Sequence, residues 1–218
     1  MQQYILHKVL ENNFILSASR VIFWEEEKTL ILSDMHIGKS GHFRKHGIGI
    51  PQNIFKEDMQ RLFAEIQAYK PRKIIIVGDL SHSHANKEFD LFLKWRSDLP
   101  NIEVHLVIGN HDIVSRRWYE QAGIQIHEDC LTVGNFTFTH DISSCDVSSD
   151  SYYFSGHIHP GVLIRGLGKQ SVRLPCFYFG KNDAVLPAFG KFTGTHTMQP
   201  KKADAVFAIA ENSVIRIQ

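Results

Sequence analysis

Ile74-Ile75-Ile76-Val77-Gly78-Asp79 is a run of four β-branched apolar residues that stops on a glycine and a carboxylate. Four such residues in series describe a short strand buried on both faces. Gly78 lets the chain turn sharply, and Asp79 then sits at the strand's C-terminal end, where α/β sheets assemble their sites. The same pattern recurs on both sides. Thr29-Leu30-Ile31-Leu32 is a strand that delivers Asp34 and His36, and Val104 to Ile108 is a strand that ends in Gly109-Asn110-His111-Asp112. Between them lie two amphipathic helices. Pro51 suits the first turn of one, whose apolar positions Ile54, Phe55, Met59, Leu62, Phe63 and Ile66 run down to Tyr69 before Pro71 stops it. The other spans Lys87 to Ser97, with Phe89, Phe92, Leu93 and Arg96 on a mixed face.

Upstream, Val9-Leu10, Phe14-Ile15-Leu16 and Val21-Ile22-Phe23 suit an opening hairpin. Downstream, a short helix is expected around Val114 to Ala122. The pattern then becomes β: Cys130 to Val133, Phe136 to Thr139, Tyr152 to Ser155, Val162 to Arg165, Val172 to Phe179, Ala205 to Ile209 and Val214 to Ile217. This half should form a second, mostly antiparallel sheet packed on the first. The fold class is α/β, a two-sheet β-sandwich flanked by helices, in a single domain over 1–218.

The 218 residues suffice for one proper core, and 43% hydrophobic with 22% charged residues is ordinary for a soluble globular chain. With 24 basic against 23 acidic residues the net charge is +1, so any attraction to nucleic acid must be local. Cys130, Cys145 and Cys176 are odd in number and form no C-x-x-C, which suits reduced thiols. The N-terminus has no signal-peptide pattern and no apolar run reaches membrane-spanning length, so the expected location is the cytoplasm, without a membrane partner. Thirteen histidines is the unusual count, and it raises the question of metal.

Five short pieces carry that question: Asp34-Met35-His36, Gly78-Asp79, Gly109-Asn110-His111-Asp112, His140, and Gly156-His157-Ile158-His159. Asp34 and His36, like His157 and His159, are two apart, so in extended chain each pair points to one side. Asp34 alone is an ordinary turn residue, and Asn110-His111-Asp112 alone an ordinary polar turn. Two histidines following a strand have no usual packing role, however, and a buried Asp79 is costly unless paired or metal-bound. His140 is assigned by its place after the strand Phe136 to Thr139.

Taken in order, the five pieces resemble the calcineurin-like metallophosphoesterase superfamily, with its pattern D-x-H, G-D, G-N-H-D/E, H, G-H-x-H. The resemblance implies a four-layer αββα arrangement and a hydrolase using two divalent metal ions. One ion would take Asp34, His36, Asp79 and His159; the other would take Asp79, Asn110, His140 and His157, with Asp79 bridging. His111 would act as general acid or transition-state stabiliser, and Asp112 would orient its ring. A hydroxide bridging the two ions would attack the phosphorus. The mixed imidazole, carboxylate and amide donors favour Mn²⁺, with Fe or Zn as alternatives.

A more specific similarity spans nearly the whole chain. Asp34-Met35-His36-Ile37-Gly38-Lys39, Phe43-Arg44-Lys45-His46-Gly47-Ile48 with Pro51, Gly78-Asp79-Leu80-Ser81-His82-Ser83-His84, and Leu186 to Gly194 resemble the bacterial DNA ligase-associated metallophosphoesterases. That implies a phosphodiesterase in a DNA repair or end-processing setting, associated with a ligase, a helicase and a nuclease. Lys39, His42, Arg44, Lys45 and His46 form a basic cluster that either holds substrate phosphate or is a solvated loop. Lys39, Arg44 and His82 are the substrate-binding candidates, with His84 nearby in sequence. Phe177, Tyr178, Phe179, Phe189 and Phe192 either stack bases or, more simply, fill the core, and His105 suits a core histidine. The alternatives are a phosphomonoesterase or cyclic-nucleotide phosphodiesterase on the same scaffold, and a non-catalytic metal-binding interaction module. Retention of every expected ligand and of His111 argues against the last. The oligomeric state is open.

Overall fold

The computed structural model describes residues 3–45, 53–82, 86–145, 151–166, 168 and 170–218. One sheet takes its strands in chain order: β1 (Tyr4–Val9), β2 (Asn12–Ser17), β3 (Val21–Trp24), β4 (Thr29–Leu32), β5 (Lys73–Val77), β6 (Glu103–Val107) and β7 (Ile124–His127). β1 to β4 form an antiparallel meander, and β4 to β7 run parallel. The change of direction follows from the connections. Tight turns join the first four strands, whereas helices α1 (Lys39–Lys45) and α2 (Ile54–Tyr69), then α3 (Lys87–Ser97), then α4 (Arg116–Gln121) carry the chain back between the parallel ones.

Every residue of β4 is buried because both faces of the sheet are covered. Leu30, Leu32, Ile74 and Ile76 pack with Met59, Leu62 and Ile66 of α2 and with Phe89 and Phe92 of α3. Ile31, Ile75, Val77 and Val107 face the other way, into a second core rich in phenylalanine: Phe136, Phe138, Phe154, Phe177, Phe179 and Phe207. Phe63, expected in the apolar stripe of α2, is 43% exposed, and Asp58 is buried on that helix instead. The helix ends as expected: Lys70 turns left-handed at φ 49°, its N–H returns to Ile66 O, and Pro71 follows. Pro51 lies outside the described residues.

The second sheet comprises β8 (Cys130–Val133), β9 (Phe136–Thr139), β10 (Tyr152–Ser155), β11 (Pro160–Arg165), β12 (Ser171–Phe179), β13 (Asp183–Val185), β14 (His196–Thr197), β15 (Ala205–Ala210) and β16 (Ser213–Arg216). Its main path runs β14-β11-β12-β13-β10-β9-β8, with β15 and β16 added beside β12. The sheet is mostly antiparallel, as expected, but β10 pairs parallel with both β9 and β13 at its centre and β11 pairs parallel with β14 at one end. This detail matters for function, since parallel strands bring their C-terminal ends to one edge. Among the described residues, α2, α3 and α4 all pack on the first sheet. The outer face of the second carries a small cluster of Val162, Cys176, Val206 and Ala208, with no α-helix over it. The expected two-sheet sandwich flanked by helices is therefore present, with helices on one side only among these residues.

Candidate metal centre

The C-terminal ends of β4, β5, β6, β9 and β10 meet at one edge of the sandwich. Short contacts within and between the two sheets close the meeting point. Ser33 Oγ lies 2.8 Å from Val77 O and hydrogen-bonds the Asp34 carboxylate, the His157 N–H donates to Asp34 Oδ2 at 3.2 Å, and the Gly156 N–H donates to His140 O at 3.1 Å. Two glycines are required by this closeness. A Cβ on Gly156 would fall 1.9 Å from Ser33 Oγ, and one on Gly78, where φ is +77°, would fall 2.0 Å from His140 Nδ1.

Two groups of donor atoms result. Asp34, His36 and His159 each offer one atom within 4.8 Å of the others, as do Asp34, Asp79 and His140. Asp79 faces both groups: Oδ2 lies 3.9 Å from His36 Nε2 and Oδ1 lies 3.5 Å from His140 Nε2. His157 joins the second group, its Nδ1 3.2 Å from His140 Nε2. Two imidazole nitrogens also face each other across the first group, His36 Nε2 and His159 Nε2 at 3.4 Å.

The donor set fits divalent metal. Asp34 Oδ1 is buried and has no hydrogen-bond partner, although His159 Nε2 is only 3.1 Å away. A cation shared by Asp34, His36 and His159 would satisfy that oxygen. Burial raises the Asp79 carboxyl above its ordinary range, so a negative charge there needs a cation to offset it. Burial, followed by neighbouring Lys39, His159, His82 and His111, drives the His36 pKa down to about 2 and keeps the imidazole neutral, its ligating form. His140 Nδ1 lies 3.4 Å from Val77 O, a contact that leaves Nε2 as the inward lone pair.

The two-residue spacing works differently from the expectation. Asp34, His36, His157 and His159 are not in extended chain; φ is +53°, +52°, +64° and +52°, and Asp79 adds +49°. Five of the seven candidate ligands thus adopt the left-handed backbone that costs non-glycine residues about 1–3 kcal/mol each. The surrounding bonds overcome this cost: Asp34 N–H to Gly78 O at 3.1 Å, His36 N–H to Asp79 O at 2.9 Å, and Ile37 N–H to Leu80 O at 2.8 Å.

Asn110 and His111 are exposed at the rim. The His111 N–H donates to Asp79 Oδ1 at 2.9 Å, and its ring stands 4.4 Å from that of His82 and 5.4 Å from that of His36. Asp112 departs from its expected task. Its oxygens accept from Ser81 N–H at 2.8 Å, Gly109 N–H at 2.9 Å and the Ser81 and Tyr119 hydroxyls, so the carboxylate ties the loop backbone rather than the His111 ring. Burial pushes its pKa up to about 6.

Lys39 is the first residue of α1, a helix where a basic loop was the solvated alternative. Burial lowers its pKa, and the nearby Asp34 and Asp79 carboxylates pull it back up. His82 Nδ1 is 3.2 Å from His36 Nδ1. The Arg44 side chain and His84 lie outside the described residues. Phe177, Phe179 and Phe189 are core residues, whereas Phe192 is 38% exposed and meets Phe43 edge-on at 5.6 Å. His105 is buried and stacked on His127 of β7. Sequence reasoning missed Ser33 and Ser81, whose hydroxyls bind the Asp34 and Asp112 carboxylates. A serine beside a motif carries no signal of its own.

Comparison with known proteins agrees with this geometry. The model of the calcineurin-like phosphoesterase family matches residues 27–160, which contain all seven candidate ligands. The crystal structure of Pseudomonas putida nuclease MPE superposes with a TM-score of 0.83 at 25% identity, covering 98% of this chain and all of that one. A phosphoesterase from E. coli, Yfce, aligns over 86% of this chain and 96% of its own at 13% identity, but its TM-score of 0.47 is too low to carry an argument. No curated protein matches. No helix among the described residues is long and apolar enough to cross a membrane. With its motifs in the family's order and its donors gathered at one sheet edge, this chain belongs to the calcineurin-like phosphoesterases, hydrolases that use a dinuclear divalent metal centre.

Proposed function

We propose that the protein is a metal-dependent phosphodiesterase acting on nucleic acid, working as one domain over 1–218. The observation that carries the reading is the two-sided Asp79, with one oxygen toward His36 and the other toward His140. In this reading Asp34, His36, Asp79 and His159 hold one ion, and Asp79, Asn110, His140 and His157 hold the other. Mn²⁺ suits the mixed donors best, with Fe or Zn next. Such a pair of ions supplies neutralisation of the ester's negative charge and acidifies water.

The chain's own residues then have separate tasks. Lys39, which feels the Asp34 and Asp79 charges, attracts a non-bridging phosphate oxygen. His111, exposed at the rim, passes a proton to the departing oxygen. His82 stands beside both His36 and His111 and lines the approach. Asp112 keeps the turn that carries His111 in register with Ser81. Nucleic acid as substrate is supported by the likeness to a protein described as a nuclease, over nearly the full length of both chains. DNA repair, work alongside a ligase, helicase and nuclease, and a cytoplasmic setting rest on resemblance and on three unbridged cysteines.

The test is hydrolysis of bis-p-nitrophenyl phosphate against p-nitrophenyl phosphate after chelation and return of Mn²⁺, followed by single- and double-stranded DNA and RNA. Restored activity favouring the diester and cutting DNA is expected. Activity confined to the monoester would overturn the diester reading.

A further inference from the structure

The loop that carries Asp34 and His36 is gripped on two sides. One grip is the turn after β5. The other is the strip Ala188 to Lys191, which lies beside Ser33 in a parallel bridge. The strip's amides point inward: the Phe189 N–H donates to Ser33 O at 2.8 Å and the Gly190 N–H to Asp34 O at 3.1 Å. Gly190 also packs so closely that a Cβ there would lie 2.7 Å from Met35 O.

The strip's other polar groups point outward, to side chains far along the chain. Arg20 Nη1 donates to Ala188 O at 3.1 Å and to Gly190 O at 3.3 Å. Arg61 Nη2 donates to Phe189 O at 2.5 Å, and its guanidinium lies 4.2 Å above the Phe189 ring. Asp58, one turn earlier on α2, holds Arg61 at 2.8 Å with one oxygen and accepts from the Lys191 N–H at 3.2 Å with the other. The outward carbonyls of 188 to 190 and the amide of 191 are therefore all taken by three side chains, two of them half-buried arginines.

This arrangement exceeds what packing α2 on the sheet requires. An apolar residue at 58 or 61 would bury more surface at less desolvation cost. What the guanidiniums provide is direction, because a planar fork fixes a carbonyl where a methylene cannot. We propose that Arg61 and Arg20 are positioning residues for the metal centre: through the Ala188–Lys191 strip they hold Asp34 and His36 in the left-handed backbone that aims both side chains at one cation. The inference rests on the metal reading given above. It predicts that metal affinity, not only folding, depends on two arginines that touch no ligand.

The test is Mn²⁺ titration by calorimetry on chelated full-length protein, with the melting temperature of the metal-free form measured in parallel. Arg61→Met should weaken Mn²⁺ binding about tenfold, the scale on which outer partners of metal ligands act. Arg61→Lys, which keeps the charge but loses the fork, should fall between it and the parent. The control is Leu62→Ala, a buried change on the same helix that lowers the melting temperature through the core. It should leave Mn²⁺ affinity within about twofold of the parent. Parental affinity in Arg61→Met, or an equal loss in Leu62→Ala, would overturn the proposal. Should Arg61→Met fail to fold, Arg61→Lys and Arg20→Gln decide it on the same readout. If the parent itself binds no Mn²⁺ that Asp34→Ala abolishes, the metal reading fails first, and that outcome is distinct from a parent that binds metal without regard to Arg61.

Discussion

Asp34 Oδ1 and His159 Nε2 lie 3.1 Å apart without a hydrogen bond between them, although the Asp34 oxygen is fully buried. A buried carboxylate oxygen without a hydrogen-bond donor, held this close to an imidazole nitrogen, suits a shared cation. Binding to the folded state alone stabilises it, by about 2.7 kcal/mol when the ligand is a hundredfold above its Kd. Mn²⁺ should therefore raise the melting temperature of the chelated protein. Asp34→Ala should lose at least one ion by elemental analysis and most of that rise. A variant that keeps both ions would remove Asp34 from the ligand set.

Asp79 makes a sharper case, because each of its oxygens faces a different histidine. Asp79→Asn replaces one of the two acceptor oxygens with a donor while preserving shape. Metal stoichiometry should drop below two per chain, and activity should fall with it. Two ions retained at parental affinity would show that Asp79 does not bridge.

His111 differs in kind. It is exposed, and its backbone N–H, not its ring, is what holds Asp79. His111→Ala should keep both ions and the parental melting temperature while lowering turnover on the diester on the order of 10²–10⁴-fold. Asp112→Asn, by contrast, disturbs the hydrogen bonds to Ser81 and Gly109, so its first effect should be on stability. Full turnover in His111→Ala would end its assignment as the acid.

The close approach of the two sheets gives a steric prediction. A Cβ on Gly156 would lie 1.9 Å from Ser33 Oγ and 2.6 Å from Asp34 Oδ2. Gly156→Ala must push the two sheet edges apart, and overpacking of this kind costs about 1–3 kcal/mol. At roughly 2–4 °C per kcal/mol for a chain of this size, the melting temperature should fall by roughly 2–12 °C. Metal affinity should fall as well, because one of the displaced atoms belongs to Asp34. Unchanged melting and metal binding would contradict the geometry of this edge.

Much of this architecture was legible in the amino acids, and what was hidden has a common cause. Ile74 to Val77 and Val104 to Ile108 declare themselves by β-branched runs, and Asp79 and Asn110 follow from where those strands stop. The helix from Lys39 to Lys45 has no apolar period; it stands where the Glu88 carboxylate meets the Gly38 N–H at 2.9 Å and the Ser40 hydroxyl, a contact between residues distant in sequence. The left-handed backbone at Asp34 and His36 was invisible for the same reason, since the loop is framed by bonds to the turn after β5 and to the 188–191 strip. Asp58 did leave a trace, as a charge at the position one turn between Ile54 and Leu62 on the apolar stripe. Its meaning depended on Arg61 and on a segment that arrives only at residue 188.

Acid should weaken the fold at a place remote from the metals. The His7 ring packs on Phe179 and Phe207, with centroids 4.3 Å and 5.0 Å away. Burial, helped by Arg216, lowers its pKa from 6.5 to about 4. The folded state therefore holds fewer protons than the unfolded chain between these values. The stabilising contribution is complete above pH 6.5 and is lost as the pH falls toward 4. For a partly exposed ring, solvent screening leaves a contribution on the order of 1–2 kcal/mol. Urea unfolding of chelated protein at pH 7.5 and at about pH 4.5 should show this loss in the parent, superimposed on that of the other buried histidines. In His7→Phe, which retains the aromatic contacts and cannot take up a proton, the loss should be smaller by about that amount. An equal loss in parent and variant would mean that the His7 proton is not excluded by the fold.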